Sequence, residues 1–224
     1  MPNAVAPVIL FDFDGTLAPN LDLPDMRRRV IELTGTYQVP ESVWNDQYIV
    51  EIIDTSHQFL KDSKPSVADT YYHQAHQLII DIEMEAAART QPFPGMPVLL
   101  KSLRQQGCAT GVVTRNCRDA VLATFPNILE HVDVLTARGD CKFLKPDVRH
   151  AEFTLKEIQK SYVTDPTRTM MVGDGHLDMR LGRALHMTCL GVLSGSQDEI
   201  GLRDNGAHHI ISRLGASTDL LQFF

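Results

Sequence analysis

The chain has 224 residues and a formal charge of −7, with 28 acidic side chains against 21 Lys and Arg. Such a balance argues against nucleic acid or an anionic membrane as main partner, and the one basic triplet, Arg27-Arg28-Arg29, reads as the solvated side of a helix. A hydrophobic content of 43% suits an ordinary globular protein, long enough for one core plus a smaller insert. No apolar stretch approaches membrane-spanning length. Met1 to Ala6 holds no basic residue, so no secretory signal is expected. Cys108, Cys117, Cys141 and Cys189 are widely spaced, with no Cys-x-x-Cys pair. They predict buried thiols in a reducing cytoplasm and argue against zinc. The histidines are scattered; His73 and His76 read as ordinary surface or packing residues.

Val8 to Phe11 is a short, partly β-branched apolar run, which predicts a strand buried on both faces. It ends in Asp12-Phe13-Asp14-Gly15. Ligands of a parallel α/β sheet sit just beyond the carboxyl ends of its strands. Two carboxylates two residues apart there point the same way if the strand continues. They repel unless partnered, and a hard divalent cation such as Mg²⁺ suits carboxylate oxygens. Gly15 lets the backbone turn and approach an anion. The bland alternative is a strand ending in an Asx turn.

After a loop from Ala18 to Pro24, the pattern predicts a helix over 25–33 stopped by Gly35. A second helix is expected over 41–61 and a third over 66–89, broken apart by Lys64-Pro65. Together they form an antiparallel hairpin in which Trp44 packs. Pro92-Phe-Pro-Gly marks a boundary. Strands then alternate with helices: helix 98–106, strand 109–114, helix 118–125, strand 132–135, loop 136–146, helix 147–159, strand 169–172, helix 177–185, strand 188–193, helix 200–205 and strand 209–212. Repeated strand–helix units imply a doubly wound, Rossmann-like parallel sheet. The expected division is a core of 1–18 and 95–224 with an all-helical insert of 19–94.

Three further stretches carry chemistry. Thr114-Arg115-Asn116 follows the second core strand, where a hydroxyl and backbone N–H groups can seat a phosphate, or simply cap a helix. Lys145-Pro146 can deliver a point charge to a phosphate, with Lys142 as the neighbouring alternative. Gly173-Asp174-Gly-His-Leu-Asp178 follows another apolar strand. Asp174 and Asp178 are one helical turn apart, and facing Asp12 they form a cluster that calls for a cation. His176 is taken as a loop residue.

In this order the four stretches resemble the motifs of the haloacid dehalogenase superfamily, and the resemblance covers residues 7 to 224 outside the insert. It implies a helical cap in the insert and, for the family's phosphatases, Asp12 as nucleophile and Asp14 as general acid/base. Thr114, with the following backbone amides, Gly15, Arg115 and Asn116, would bind phosphate, and Lys145 would assist both binding and catalysis. Mg²⁺ would be held by Asp12, Asp14, Asp174 and Asp178. Thr-Arg-Asn and the Gly182-Arg-Ala segment look like the phosphoglycolate phosphatase-like branch; Arg115 stands where many members carry Asn, and its side chain is expected to reach the leaving group. The family usually carries a second proline where this chain has Val148. The implied activity is hydrolysis of a small phosphorylated metabolite, phosphoglycolate-like or a sugar phosphate. Rivals on the same scaffold are a phosphomutase, a dehalogenase that would not need Asp14, and a phosphonate hydrolase using Lys61 or Lys64. A non-enzymatic phospho-aspartate or binding protein is the rival of another class. Monomer and homodimer remain equally open.

Overall fold

A computed structural model describes residues 5–224. Residues 1–4, on which most of the signal-peptide reading and the start of the expected core segment fall, lie outside the described residues. The chain forms two compact units. One is Leu21–Ala86; the other joins the chain up to Asn20 with Ala87–Phe224. Residues 87–94, expected in the insert, therefore belong with the sheet. Phe93 explains this: its N–H donates to Leu17 O at 2.8 Å and its ring packs on the sheet's core.

The smaller unit is helical. Helix α1 spans Leu23–Thr36, with the Asp22 carboxylate accepting from Asp25 N–H at its start. Gly35 does not stop it, and the left-handed residue after the helix is Gln38 at φ 59°. Helix α2 spans Ile49–Ser63 and begins later than expected. Glu41–Val43 is a short 3-10 turn, and Trp44 caps that turn outside both long helices. The Arg27 guanidinium donates to the carbonyls of Asn45 and Gln47, at 2.8 and 2.5 Å, and Asn45 Oδ1 accepts from Asp46 N–H. These bonds compete with helical ones. So Arg27 has a structural task, while Arg28 is exposed and pairs with Asp25 and Glu32.

Helix α3 spans Pro65–Ala87, its proline placed where a missing N–H costs nothing. It buries Ala68, Tyr71, Ala75, Ile79 and Ile82 at steps of three or four, and α2 buries Val50, Ile52, Ile53 and Leu60. The Tyr71 hydroxyl bonds Thr34 Oγ1 at 2.9 Å and ties α3 to α1.

The larger unit is built on six strands: β1 (Ala6–Phe11), β2 (Ala109–Cys117), β3 (Val134–Arg138), β4 (Thr164–Gly173), β5 (Thr188–Val192) and β6 (His209–Ile211). All pairings are parallel, in the order β3-β2-β1-β4-β5-β6. The helices are α4 (Met96–Gln105), α5 (Arg118–Thr124), α6 (Ile128–His131), α7 (Val148–Gln159), α8 (His176–Ala184) and α9 (Glu199–Asp204). α6 has no counterpart in the sequence pattern, and β2, β3 and β4 run past their expected ends. His176 opens α8 and is not in the loop.

Side chains of β1 divide by period two. Ile9 and Phe11 join Leu99 and Leu103 of α4 and Val121 of α5 on one face. Val8 and Leu10 join Ala151 and Ile158 of α7 and Leu181 of α8 on the other. Both faces are thus covered, which is why β1 is apolar throughout. Among the described residues no helix is long and apolar enough to cross a membrane. All four cysteines are free thiols, three of them buried and Cys141 partly open.

Leu10 is fully buried in the central strand. Leu10→Ala should lower unfolding free energy by about 2–5 kcal/mol in urea titrations, with an unchanged m-value. A loss below about 1 kcal/mol would contradict a sealed two-sided sheet.

Candidate active site

β1 lies between β2 and β4, so successive crossovers leave it in opposite directions along the sheet. The crevice beyond its carboxyl end is where a doubly wound sheet binds ligands. The ladder continues one step past β1, with Asp12 N–H donating to Val172 O at 2.9 Å. The chain then turns back, Gly15 N–H donating to Ala18 O at 2.7 Å with Gly15 at φ 77°. A Cβ on Gly15 would lie 2.5 Å from the Asp174 carboxyl group, so this residue serves both the turn and the approach of β4's carboxylate.

Asp12, Asp174 and Asp178 converge, with one oxygen from each lying within 4.8 Å of the others. Asp178 comes from α8 because β4 ends in Gly173 and the helix starts within three residues. Its Oδ2 accepts from Gly175 N–H at 3.1 Å, which caps the helix and fixes the carboxylate. The Lys145 ammonium sits between two of the three, 2.6 Å from Asp12 Oδ1 and 2.7 Å from Asp178 Oδ1. Lys145 is only 2% exposed. Lys142, the alternative, is exposed and lines a separate open cleft with Phe143, Arg149 and Phe153.

Asp174 is gripped by residues that sequence reasoning missed. Ser196 N–H donates to its Oδ2 at 2.6 Å, and Asn20 Nδ2 approaches the same oxygen at 3.5 Å. Ser194 Oγ donates to Gly15 O at 2.7 Å. Between the serines, a Cβ on Gly195 would lie 2.1 Å from Asp174 Oδ2, so only glycine fits. The available signal was positional: Ser194-Gly195-Ser196 follows β5, another strand ending at the same edge of the sheet.

The remaining predicted residues form a second, connected group. Asp14 does not join the three clustered carboxylates. Its oxygens accept from Asn116 Nδ2 at 3.1 and 3.3 Å. Asn116 N–H in turn donates to Thr114 Oγ1 at 3.1 Å, and both side chains are almost fully buried. Thr114 stands two residues past Val112, the register partner of Phe11 at the end of β1. Asn116 Oδ1 is buried and has no hydrogen-bond partner among the described residues. Arg115 donates to the main-chain carbonyl of Lys145, and its own carbonyl accepts from Arg138 at 2.9 Å.

Burial pushes the Asp12 carboxyl up to about 6; Asp178 adds to the rise, while Lys145 opposes it. Burial likewise raises Asp174, with Asp12 adding to it, and raises Asp178 against the pull of Lys145. Burial alone would lower the Lys145 ammonium, but Asp12 and Asp178 outweigh it and hold the group above its ordinary value. Three carboxylates thus face one ammonium, and among the described residues Asp174 has no ion-pair partner. Crowded carboxylates short of positive charge fit a small hard cation such as Mg²⁺, with Asp12, Asp174 and Asp178 as the donors.

The family model described as haloacid dehalogenase-like hydrolase matches residues 9–192. The chain belongs to this family of hydrolases. It is 23% identical over 201 residues to the pyrophosphatase PpaX of Bacillus pumilus, covering 86% of this chain and 85% of that protein. Its fold is similar to that of a hydrolase from Pseudomonas syringae, with a TM-score of 0.68, 19% identity and coverage of 92% and 94% of the two chains. It is also similar to β-phosphoglucomutase from Clostridium difficile, with a TM-score of 0.66, 15% identity and coverage of 96% and 94%.

Without a cation, the three carboxylates hold their protons more tightly folded than unfolded. Their contribution to stability is complete below the unfolded value of 3.8 and is lost as pH rises, for Asp12 through about 6. Melting temperatures of EDTA-treated protein should therefore show this loss between about pH 4 and about pH 6. Mg²⁺ should raise the melting temperature more at about pH 7.5 than at about pH 5, because protons compete for the same oxygens. Asp174→Asn should shrink the gain. An equal gain at both pH values would contradict a carboxylate cation site.

Proposed function

We propose that the protein is a Mg²⁺-dependent phosphatase that hydrolyses a small phosphate monoester through an aspartyl-phosphate on Asp12. One observation carries this reading. The Asp12 side chain is 14% exposed, against 2% for the Asp178 side chain, and Asp174 as a whole residue is 3% exposed. Asp12 is thus the carboxylate of the cluster that a substrate can reach. Its Oδ1 is already oriented by Lys145 at 2.6 Å and by Phe13 N–H at 2.7 Å.

A carboxylate oxygen of Asp12 attacks phosphorus in line while the bond to the ester oxygen breaks. Asp14, as the acid, gives that oxygen its proton and leaves as a carboxylate, which Asn116 Nδ2 supports. It then takes a proton from water as the water oxygen attacks phosphorus. Inorganic phosphate leaves, and Asp12 and Asp14 return to their starting states. The Lys145 ammonium, the Thr114 hydroxyl and backbone N–H groups oppose charge on the transferring group. Asp12, Asp174 and Asp178 would hold Mg²⁺, which would supply positive charge to offset that of the transferring group.

The helical unit Leu21–Ala86 enters the chain between the strand before Asp12 and the strand bearing Thr114. We assign it the role of a cap that contacts the leaving group and excludes water. The substrate class is a small phosphorylated metabolite, met in the cytoplasm.

Phosphate release should be measured with 2-phosphoglycolate, a hexose phosphate, nucleotides, pyrophosphate and an aryl phosphate, with Mg²⁺ or with EDTA. EDTA should abolish turnover. Asp12→Asn should lower kcat by at least about 10³-fold while the melting temperature stays near wild type. Turnover by Asp12→Asn close to wild type would overturn the assignment.

A further inference from the structure

Lys145 must carry its ammonium to one point between two carboxylates, and its side chain is long and rotatable. What fixes its main chain is His150. This histidine is fully buried in the first turn of α7, and its Nδ1 accepts the Lys145 N–H at 3.1 Å. An N–H can only donate, so Nδ1 is the bare nitrogen and the ring proton sits on Nε2. Nε2 is itself buried and finds no hydrogen-bond partner among the described residues.

A histidine that served only to fill this space would leave both ring nitrogens badly placed, and a leucine would pack there without a buried donor. Among the described residues the one polar contact its ring makes is with Lys145. The helix beneath it is anchored: Thr154 Oγ1 donates to Thr136 Oγ1 of β3 at 2.8 Å, and the Asp147 carboxylate caps the first turn through Arg149 N–H at 3.0 Å. On the other side of Lys145, Arg115 from β2 donates to its carbonyl. The main chain at Lys145 is therefore gripped at its N–H by α7 and at its carbonyl by β2.

We propose that His150 is a positioning residue for the phosphatase reaction, holding the Lys145 main chain so that the ammonium reaches Asp12 and Asp178 together. The inference rests on the function proposed above, because it gives Lys145 a task in that reaction. Burial, with the charges of Lys145 and Arg115, lowers the His150 imidazole to about 3, so it stays a neutral acceptor.

Two variants separate positioning from packing. His150→Leu keeps an apolar filler and removes the acceptor; His150→Asn keeps an acceptor oxygen at the place of Nδ1. His150→Leu should lower kcat by about 10- to 100-fold with KM within about threefold of wild type. His150→Asn should restore most of kcat. Crystal structures of the wild type and both variants read the ammonium directly, whether or not any ester is turned over. It should leave Asp12 in the Leu variant and remain beside Asp12 and Asp178 in the Asn variant. An ammonium unmoved in His150→Leu, or a His150→Asn as impaired as His150→Leu, would overturn the inference. A wild type that turns over no ester but shows the expected ammonium shift would instead defeat the phosphatase reading and leave His150 as the holder of Lys145.

Discussion

The structure turns on one ammonium buried between carboxylates. A charge as enclosed as that of Lys145 is tolerable only if both of its partners arrive, since an unpaired buried charge costs several kcal/mol, about 3–5 when one partner is removed. Asp12 Oδ1 at 2.6 Å and Asp178 Oδ1 at 2.7 Å meet that condition. The three residues lie on different segments of the chain, so the contact is a demand on the whole sheet. β1, the loop before α7 and the first turn of α8 must end at one point. The order β3-β2-β1-β4-β5-β6 makes that possible by setting the strand that bears Asp12 beside the strand that leads to Asp178.

The same demand explains small residues around the site. Carboxylates crowded this closely need backbone with no side chain in the way. Gly15 yields space to Asp174 from one side and Gly195 from the other. The two loops are tied together, since Ser194 Oγ donates to the carbonyl of Gly15 and Ser196 N–H to Asp174. The rigidity of the cluster comes from main-chain donors, which cannot swing away as a long side chain would.

How much of this was legible depended on the range of the forces involved. Apolar runs ending in Asp12 and Asp174 announce buried strands and their carboxyl ends, because a strand covered on both faces must be continuously apolar. Lys145 was singled out by the resemblance of Lys145-Pro146 to a motif of the family. What the sequence could not show was decided by contacts between distant residues. The start of α2 was read eight residues early, at Glu41 instead of Ile49, because Arg27 draws the carbonyls of Asn45 and Gln47 out of helical pairing. Asp14 and Asp12 were read as one ligand pair by their spacing. The chain turns at Gly15, and Asp14, outside the group of three, accepts from Asn116. Ser196 and His150 leave no periodic trace, since each acts through hydrogen bonds to one residue far from it or on another element.

The imbalance of charge has a consequence for binding under the proposed chemistry. Three carboxylates against one ammonium make a pocket that repels an anionic ester. Protonation relieves the repulsion only when pH falls to about 6 for Asp12, and the proton then blocks the oxygen that must attack. Near neutral pH the site is competent as a nucleophile but hostile to its substrate. Positive charge brought from solvent resolves the conflict without protonating Asp12, and Lys145 cannot supply more because both of its partners already claim it. Under the proposed chemistry Asp12, Asp174 and Asp178 would hold such a cation, with Asp12 the most open of the three.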